Sequence, residues 1–143
     1  MDPSYYGYNG ISVFSSMAYE SYSELQHSLG MFGNRINSYT YNTQTPVYNM
    51  MFNIKYLIQT DVSLAPSSNL YKKKYTTKNK KASVYENKYN LPIAYCVNSN
   101  IEDWITDEGN PFEIQSDFIK LATGYSNVFK NVDYISTDFD SVT

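Results

Sequence analysis

Leu70-Tyr71-Lys72-Lys73-Lys74-Tyr75-Thr76-Thr77 is followed by Lys78-Asn79-Lys80-Lys81 and then by Ala82-Ser83-Val84-Tyr85-Glu86. Two runs rich in aromatic and β-branched residues, joined by four polar ones, predict an antiparallel hairpin. Alternation along the first run places Tyr71, Lys73 and Tyr75 on one face and Lys72, Lys74 and Thr76 on the other. Outward from the hairpin, residues 10–14, 54–60 and 93–97 share its strand-like composition and are bordered by Asn, Gly, Pro or Ser. Helices separate these runs. Ser15 or Ser16 caps the first, in which Ala18, Tyr22, Leu25 and Leu29 form a stripe that ends at Gly30, while Glu20, Glu24 and His27 point elsewhere. Thr45-Pro46 opens a short second helix with Val47, Met50, Met51 and Ile54 inward. Asn110-Pro111 opens the third, with Glu113 at the capping-box position, Ile114, Phe118, Leu121 and Tyr125 along one face, and Gly124 as the stop. The pattern predicts an α+β domain: a mainly antiparallel sheet of about five strands with three helices. At 143 residues the whole chain is expected to form one compact domain.

Composition narrows the class further. Hydrophobic residues make up 42% of the chain, but 16 of them are tyrosines; without these, about 31% remains, so Tyr rings must serve as core fillers. Tyr19, Tyr22, Tyr56, Tyr85 and Tyr95 fall within expected elements and are assigned to core or sheet. Aromatic and charged residues each stop at 17%, the reverse of a disordered chain. Polarity comes instead from 17 Ser, 15 Asn and 10 Thr, which suit a wet, uncharged surface that meets sugars and polar polymers. The net charge of −3 conceals an asymmetry. Residues 71–89 hold seven Lys and one Glu, whereas nine acids and two Lys follow from Glu102 onward. A single arginine, Arg35, and an acidic pI argue against nucleic acid as a partner.

No stretch is apolar enough to cross a membrane; the richest, 50–58, is broken by Asn53 and Lys55. The first residues lack the basic and apolar regions of a leader, so the chain reads either as cytosolic or as a segment of a larger protein. The absence of Asn-x-Ser/Thr and the ten Lys to one Arg point to an AT-rich bacterial source.

Chemistry is sparse. One histidine, His27, and one thiol, Cys96, read as half-buried on a strand, give no nucleophile and base pair by spacing, and no metal-ligand pattern is present. Gly30 and Gly33 flank Met31-Phe32 without the strand and helix of a phosphate loop. Asp138-Phe139-Asp140 lacks a nucleotide-binding unit before it. Glu102, Asp103, Asp107 and Glu108, around Trp104, would serve a hydrolase only if a cleft joined two of them; otherwise they are a solvated loop. No catalytic, cofactor-binding or metal-binding residue is assigned. The basic hairpin is the one surface with a shape: Tyr71, Lys73 and Tyr75 on the strand, with Lys78 and Lys80 in the connection, form a candidate surface for a polyanion or sugar. The same residues also fit a plain role, since edge lysines prevent sheet-to-sheet aggregation and tyrosines fill a half-buried face.

Several segments, in order, resemble one family. They are Tyr8-Asn9-Gly10-Ile11-Ser12-Val13-Phe14-Ser15-Ser16, Gly30, Thr45-Pro46 with Asn53-Ile54-Lys55-Tyr56-Leu57-Ile58, Val84-Tyr85-Glu86-Asn87, Leu91-Pro92-Ile93-Ala94-Tyr95-Cys96-Val97, and Asn110-Pro111-Phe112-Glu113-Ile114-Gln115. Together they resemble the YfhO family of bacterial multi-pass membrane proteins. The resemblance implies a large membrane glycosyltransferase that moves a sugar from a polyprenyl-phosphate carrier to an envelope polymer such as teichoic acid. This chain would be a non-catalytic, extracytoplasmic part of it, at the outer face of the membrane, that positions the acceptor or lipid-linked sugar. No catalytic residue of such a transferase has a counterpart here. The alternative is a scaffold that holds a partner protein of the envelope and never touches sugar.

Overall fold

In the computed structural model, which describes residues 5–42, 44–60 and 65–130, the elements run β1 (Val13–Phe14), α1 (Glu20–Ser28), β2 (Ser38–Tyr39), α2 (Pro46–Met51), β3 (Tyr56–Gln59), β4 (Tyr71–Thr76), β5 (Ser83–Asn87), a 3₁₀ turn (Ser99–Asp103) and α3 (Pro111–Thr123). β1 and β2 form one small antiparallel sheet, and β3-β5-β4 form a second, also antiparallel, with β5 in the middle. The architecture is the expected α+β domain with five strands and three helices.

α3 forms where the sequence places it because its ends are fully specified. Asn110 Oδ1 accepts the Phe112 and Glu113 N–H groups at 3.0 and 3.1 Å, and Glu113 Oε2 accepts the Asn110 N–H at 3.0 Å. Gly124 closes the helix in the left-handed region. The buried face is rotated from the expected one: Ile114, Gln115, Phe118, Ile119 and Ala122 lie inside, and Tyr125, beyond the stop, is exposed. Trp104 fixes that rotation. Its Nε1 donates to Ile114 O at 2.9 Å and its ring packs edge-on against Phe118 at 5.1 Å.

α2 has its expected Thr45 cap, whose Oγ1 accepts the Tyr48 N–H at 3.1 Å. α1 does not start at Ser15 or Ser16. Ser15 instead accepts the Met17 N–H on its hydroxyl and the Ala18 N–H on its carbonyl, while its own N–H bonds Asn37 O. That turn belongs to the β1–β2 unit, and the helix begins four residues later at Glu20 without a side-chain cap. Its innermost residues are Ser23 and Gln26, with Leu29 just past its end, rather than Tyr22.

The expected strand over 93–97 is absent: that segment is irregular, Ile93 is 92% exposed and Cys96 is exposed rather than half-buried. Pro92 removes a ladder donor beside it, and only Tyr95 anchors the stretch, packing on the core and donating to Met51 O at 3.4 Å. The fifth strand is β2, which Asn34 creates. Its Oδ1 accepts the N–H groups of Ile36, Asn37 and Ser38 and turns the chain back. Gly33 permits the return at φ +150; a Cβ there would lie 2.4 Å from Ser38 O.

The main core gathers Leu29 and Met31 from the segment that follows α1, Val47 and Tyr48 from α2, and Ile114 and Phe118 from α3. Buried among the apolar groups are Ser23, Gln26, Asn49, Ser83, Asn87 and Gln115. They are inside because tyrosine hydroxyls and backbone carbonyls there need partners. Tyr48 donates to Gln26 Oε1 at 2.5 Å, Tyr41 donates to Asn49 Oδ1 at 2.9 Å, and Gln115 Nε2 donates to Leu29 O at 2.9 Å.

Candidate functional site

β4 and β5 pair from Tyr71 opposite Asn87 to Thr76 opposite Ser83, with Lys73 opposite Tyr85 and Tyr75 opposite Val84. Lys74 is therefore the extra residue of a β-bulge. One inserted residue reverses the facing of everything after it. The inner side that begins with Tyr71 and Lys73 continues with Thr76, whose hydroxyl lies 3.1 Å from Ser83 Oγ. Tyr75 moves to the outer side with Lys72. The expected row of Tyr71, Lys73 and Tyr75 on one face is thus corrected by the bulge, which alternation alone does not reveal.

Tyr71 is only 6% exposed, and its hydroxyl accepts a hydrogen bond from Asn49 Nδ2 at 2.8 Å. It is a packing residue that ties the larger sheet to α2. Tyr56, assigned to core or sheet from the sequence, lies in β3 and is 49% exposed, because its place opposite Glu86 puts it on the outer side. The outer face thus carries Tyr56, Ile58 and Tyr75, the last 56% exposed, around Val84 and Glu86. Tyr56 is an exposed aromatic of this face that sequence reasoning did not single out; the signal for it is the pairing register of β3.

Lysines surround this face. Lys55 Nζ lies 5.4 Å from the centre of the Tyr56 ring, and Lys74 Nζ lies 3.0 Å from Glu86 Oε2. That hydrogen bond raises the Lys74 pKa and holds the Glu86 carboxyl below its ordinary value. The pair is open to solvent, so screening leaves it weak. Lys73 is exposed, with its Nζ 6.0 Å from the Tyr85 ring. Lys78 and Lys80 are exposed in the hairpin connection, which Asn79 Oδ1 holds by accepting the Thr77 hydroxyl and the Lys81 N–H. Flat phenol rings edged by ammonium groups can stack on sugar rings and neutralise phosphates.

The acidic segment is not a catalytic cleft. Glu102, Asp103, Asp107 and Glu108 are all exposed. An open groove of about 880 Å³ beside α3 takes in Glu108, and a smaller depression takes in Asp103; neither joins two of the four. Glu113, which also lines the larger groove, is engaged in capping α3. Among the described residues no group of three or more His, Cys, Asp or Glu could hold a metal ion. Asp138-Phe139-Asp140 lies outside the described residues.

The two roles assigned to Tyr71 and Tyr75 are separable by experiment. Tyr71→Phe strips Asn49 Nδ2 of its acceptor and is expected to cost about 1–3 kcal/mol, a fall in Tm of a few degrees in thermal unfolding. Its effect on polymer binding should be nil, unlike that of a change at Tyr75.

The profile of a family described as bacterial membrane protein YfhO matches residues 2–143. No curated protein and no solved structure matches the chain. Among the described residues no helix is long and apolar enough to cross a membrane.

Proposed function

Because the chain belongs to the YfhO family of bacterial membrane proteins, we propose that it is a non-catalytic extracytoplasmic domain that holds an anionic envelope polymer or lipid-linked sugar for glycosylation by the membrane-embedded part of its parent. The observation that carries this reading is the outer face of β3-β5-β4. Two half-exposed tyrosines stand there among Lys55, Lys72 and Lys74, with Lys78 and Lys80 on the adjoining connection and Glu86 as the acid on that face. A surface of this kind recognises repeating sugar or glycerol phosphates without a deep pocket. Rings supply contact area, and each ammonium group meets a phosphate as a point charge.

Titration with glycerol-phosphate oligomers of the teichoic-acid type, followed by calorimetry, tests it. Tyr75→Ala is expected to weaken binding about tenfold through lost stacking. Lys72→Ala combined with Lys78→Ala should weaken it further and flatten its dependence on salt. Unchanged affinity in both variants, or no binding by the unaltered chain, would sink the reading. A scaffold role is favoured by one separate feature: β3 lies at the sheet edge, with its outer backbone unpaired by any described strand, and could accept a partner's strand. Capture of an envelope protein that Tyr75→Ala leaves intact would favour that second reading.

A further inference from the structure

The small sheet presents a different surface. Phe14 is paired opposite Ser38, and Phe32 is joined by an isolated antiparallel bridge to Thr40, two residues on and just past the end of β2. Residues two apart on a strand share a side, so Phe14 and Phe32 share the side of Ser38 and Thr40. Val13 and Tyr39 take the other side, against the core. The Ser15 N–H bonds Asn37 O at 3.2 Å, which sets the turn carrying Met17 beside the loop carrying Ile36. Phe14, Met17, Phe32 and Ile36 are each between 61% and 87% exposed. None is needed to close the core.

Two independent features say what meets this surface. The first is charge. Between residues 5 and 19, and again between 28 and 54, the only charged side chain is Arg35, at the tip of the Phe32 loop; the nearest acid in sequence is Glu20, in the first turn of α1. Exposed apolar groups around one cation complement an anionic lipid surface. The second is the state of the backbone. Asn34 Oδ1 accepts the N–H groups of Ile36, Asn37 and Ser38, Ser38 Oγ accepts the Asn34 N–H at 3.2 Å, and Phe32 O accepts the Thr40 N–H. The N–H groups of Asn34, Ile36, Asn37, Ser38 and Thr40 are thus satisfied within the unit, which lowers the cost of leaving water at a bilayer interface.

We propose that the tip formed by Phe14, Met17, Phe32 and Ile36, with Arg35 between them, seats this domain on the lipid bilayer, its apolar side chains in the headgroup and acyl boundary and Arg35 on lipid phosphate. The occupant is lipid rather than a second copy of the chain. The proposal is independent of what the lysine-rich sheet face binds.

Flotation of the chain with vesicles of phosphatidylglycerol and phosphatidylethanolamine tests it. The unaltered chain should float. Phe14→Ser combined with Phe32→Ser should lower partitioning about tenfold or more, since each Phe loses most of its apolar contact, whereas Lys120→Ala combined with Lys130→Ala, both exposed and away from the sheet face, should leave it within about threefold, by the same affinity scale. Phe32→Trp keeps the apolar contact and reports position; its emission should shift to the blue on vesicles and be quenched by lipids brominated on the acyl chain. Three outcomes overturn the proposal: no flotation, equal flotation of the serine variant, or loss confined to the lysine variant. Lipid-free dimerisation that the serine variant abolishes would assign the face to a second copy and overturn it as well.

Discussion

Tyr48→Ala is expected to lower the free energy of unfolding by about 3–5 kcal/mol, a large share of the roughly 5–15 kcal/mol that holds a domain together. Tyr48 is fully buried, its ring lies 4.6 Å from Phe52 and 6.3 Å from Tyr41, and its hydroxyl donates to Gln26 Oε1. The residue joins α2 to α1 through both its ring and its hydroxyl. Alanine would leave a ring-sized cavity and remove the donor from a buried amide whose Nε2 already lacks a partner. Tyr48→Phe separates the two effects: packing survives, the amide loses its donor, and the expected cost falls to about 1–3 kcal/mol. Chemical denaturation of the two variants measures both. A loss below about 1 kcal/mol in the alanine variant would show that Tyr48 does not occupy the core position described.

The second large effect is alkaline unfolding. Burial raises the pKa of Tyr22, Tyr39, Tyr48 and Tyr95, and pushes Tyr41 up to about 12. A phenol whose pKa is higher folded than unfolded keeps its proton longer in the native state. Its contribution is therefore fully present below the unfolded value of 10.0 and is lost as the pH rises from there through the folded value. For Tyr41 that window runs from about pH 10 to 12, with roughly 2–3 kcal/mol at stake. The other phenols with raised pKa lose stability in the same direction as the pH rises above 10.0. Stability should hold up to about pH 10 and then fall, and the last part of the phenolate absorbance, from the buried rings, should appear only with loss of circular dichroism. Ionisation of all sixteen tyrosines in a chain that stays folded would contradict the buried placement. Tyr48→Phe, with one buried phenol fewer, should make the alkaline decline shallower.

How far the fold could be read from the chain depended on the range of the signals. Asn110, Pro111, Glu113 and Gly124 lie close to the groups they satisfy, so α3 could be read with its ends. The Thr45-Pro46 start and the β4–β5 hairpin are local in the same sense. Three readings failed where the deciding partner was distant. Ser15 looked like a helix cap, but Asn37 had already drawn it into the small sheet. Residues 93–97 have strand composition, yet the β3-β5-β4 sheet is completed by other segments and Pro92 spoils the ladder. Tyr71, Lys73 and Tyr75 were read as one row, but a bulge at Lys74, which no residue type marks, turns Tyr71 inward and Tyr75 to water.

The amino-acid sequence by itself determined that this chain folds as one α+β domain, that tyrosines must fill its interior, and that the YfhO pattern runs through it. It also located the basic hairpin. Tertiary structure alone decided which polar residues are surface and which are core. The abundant Asn and Ser, and the few Gln, look in sequence like a wet exterior, but a core built with phenols needs acceptors and donors beside its hydroxyls. Gln26 therefore lies fully buried against Tyr48, and Asn49 between Tyr41 and Tyr71. The Tyr41, Tyr48 and Tyr71 hydroxyls and their partners are 8 to 22 residues apart in the chain, and only folding brings them within hydrogen-bond reach.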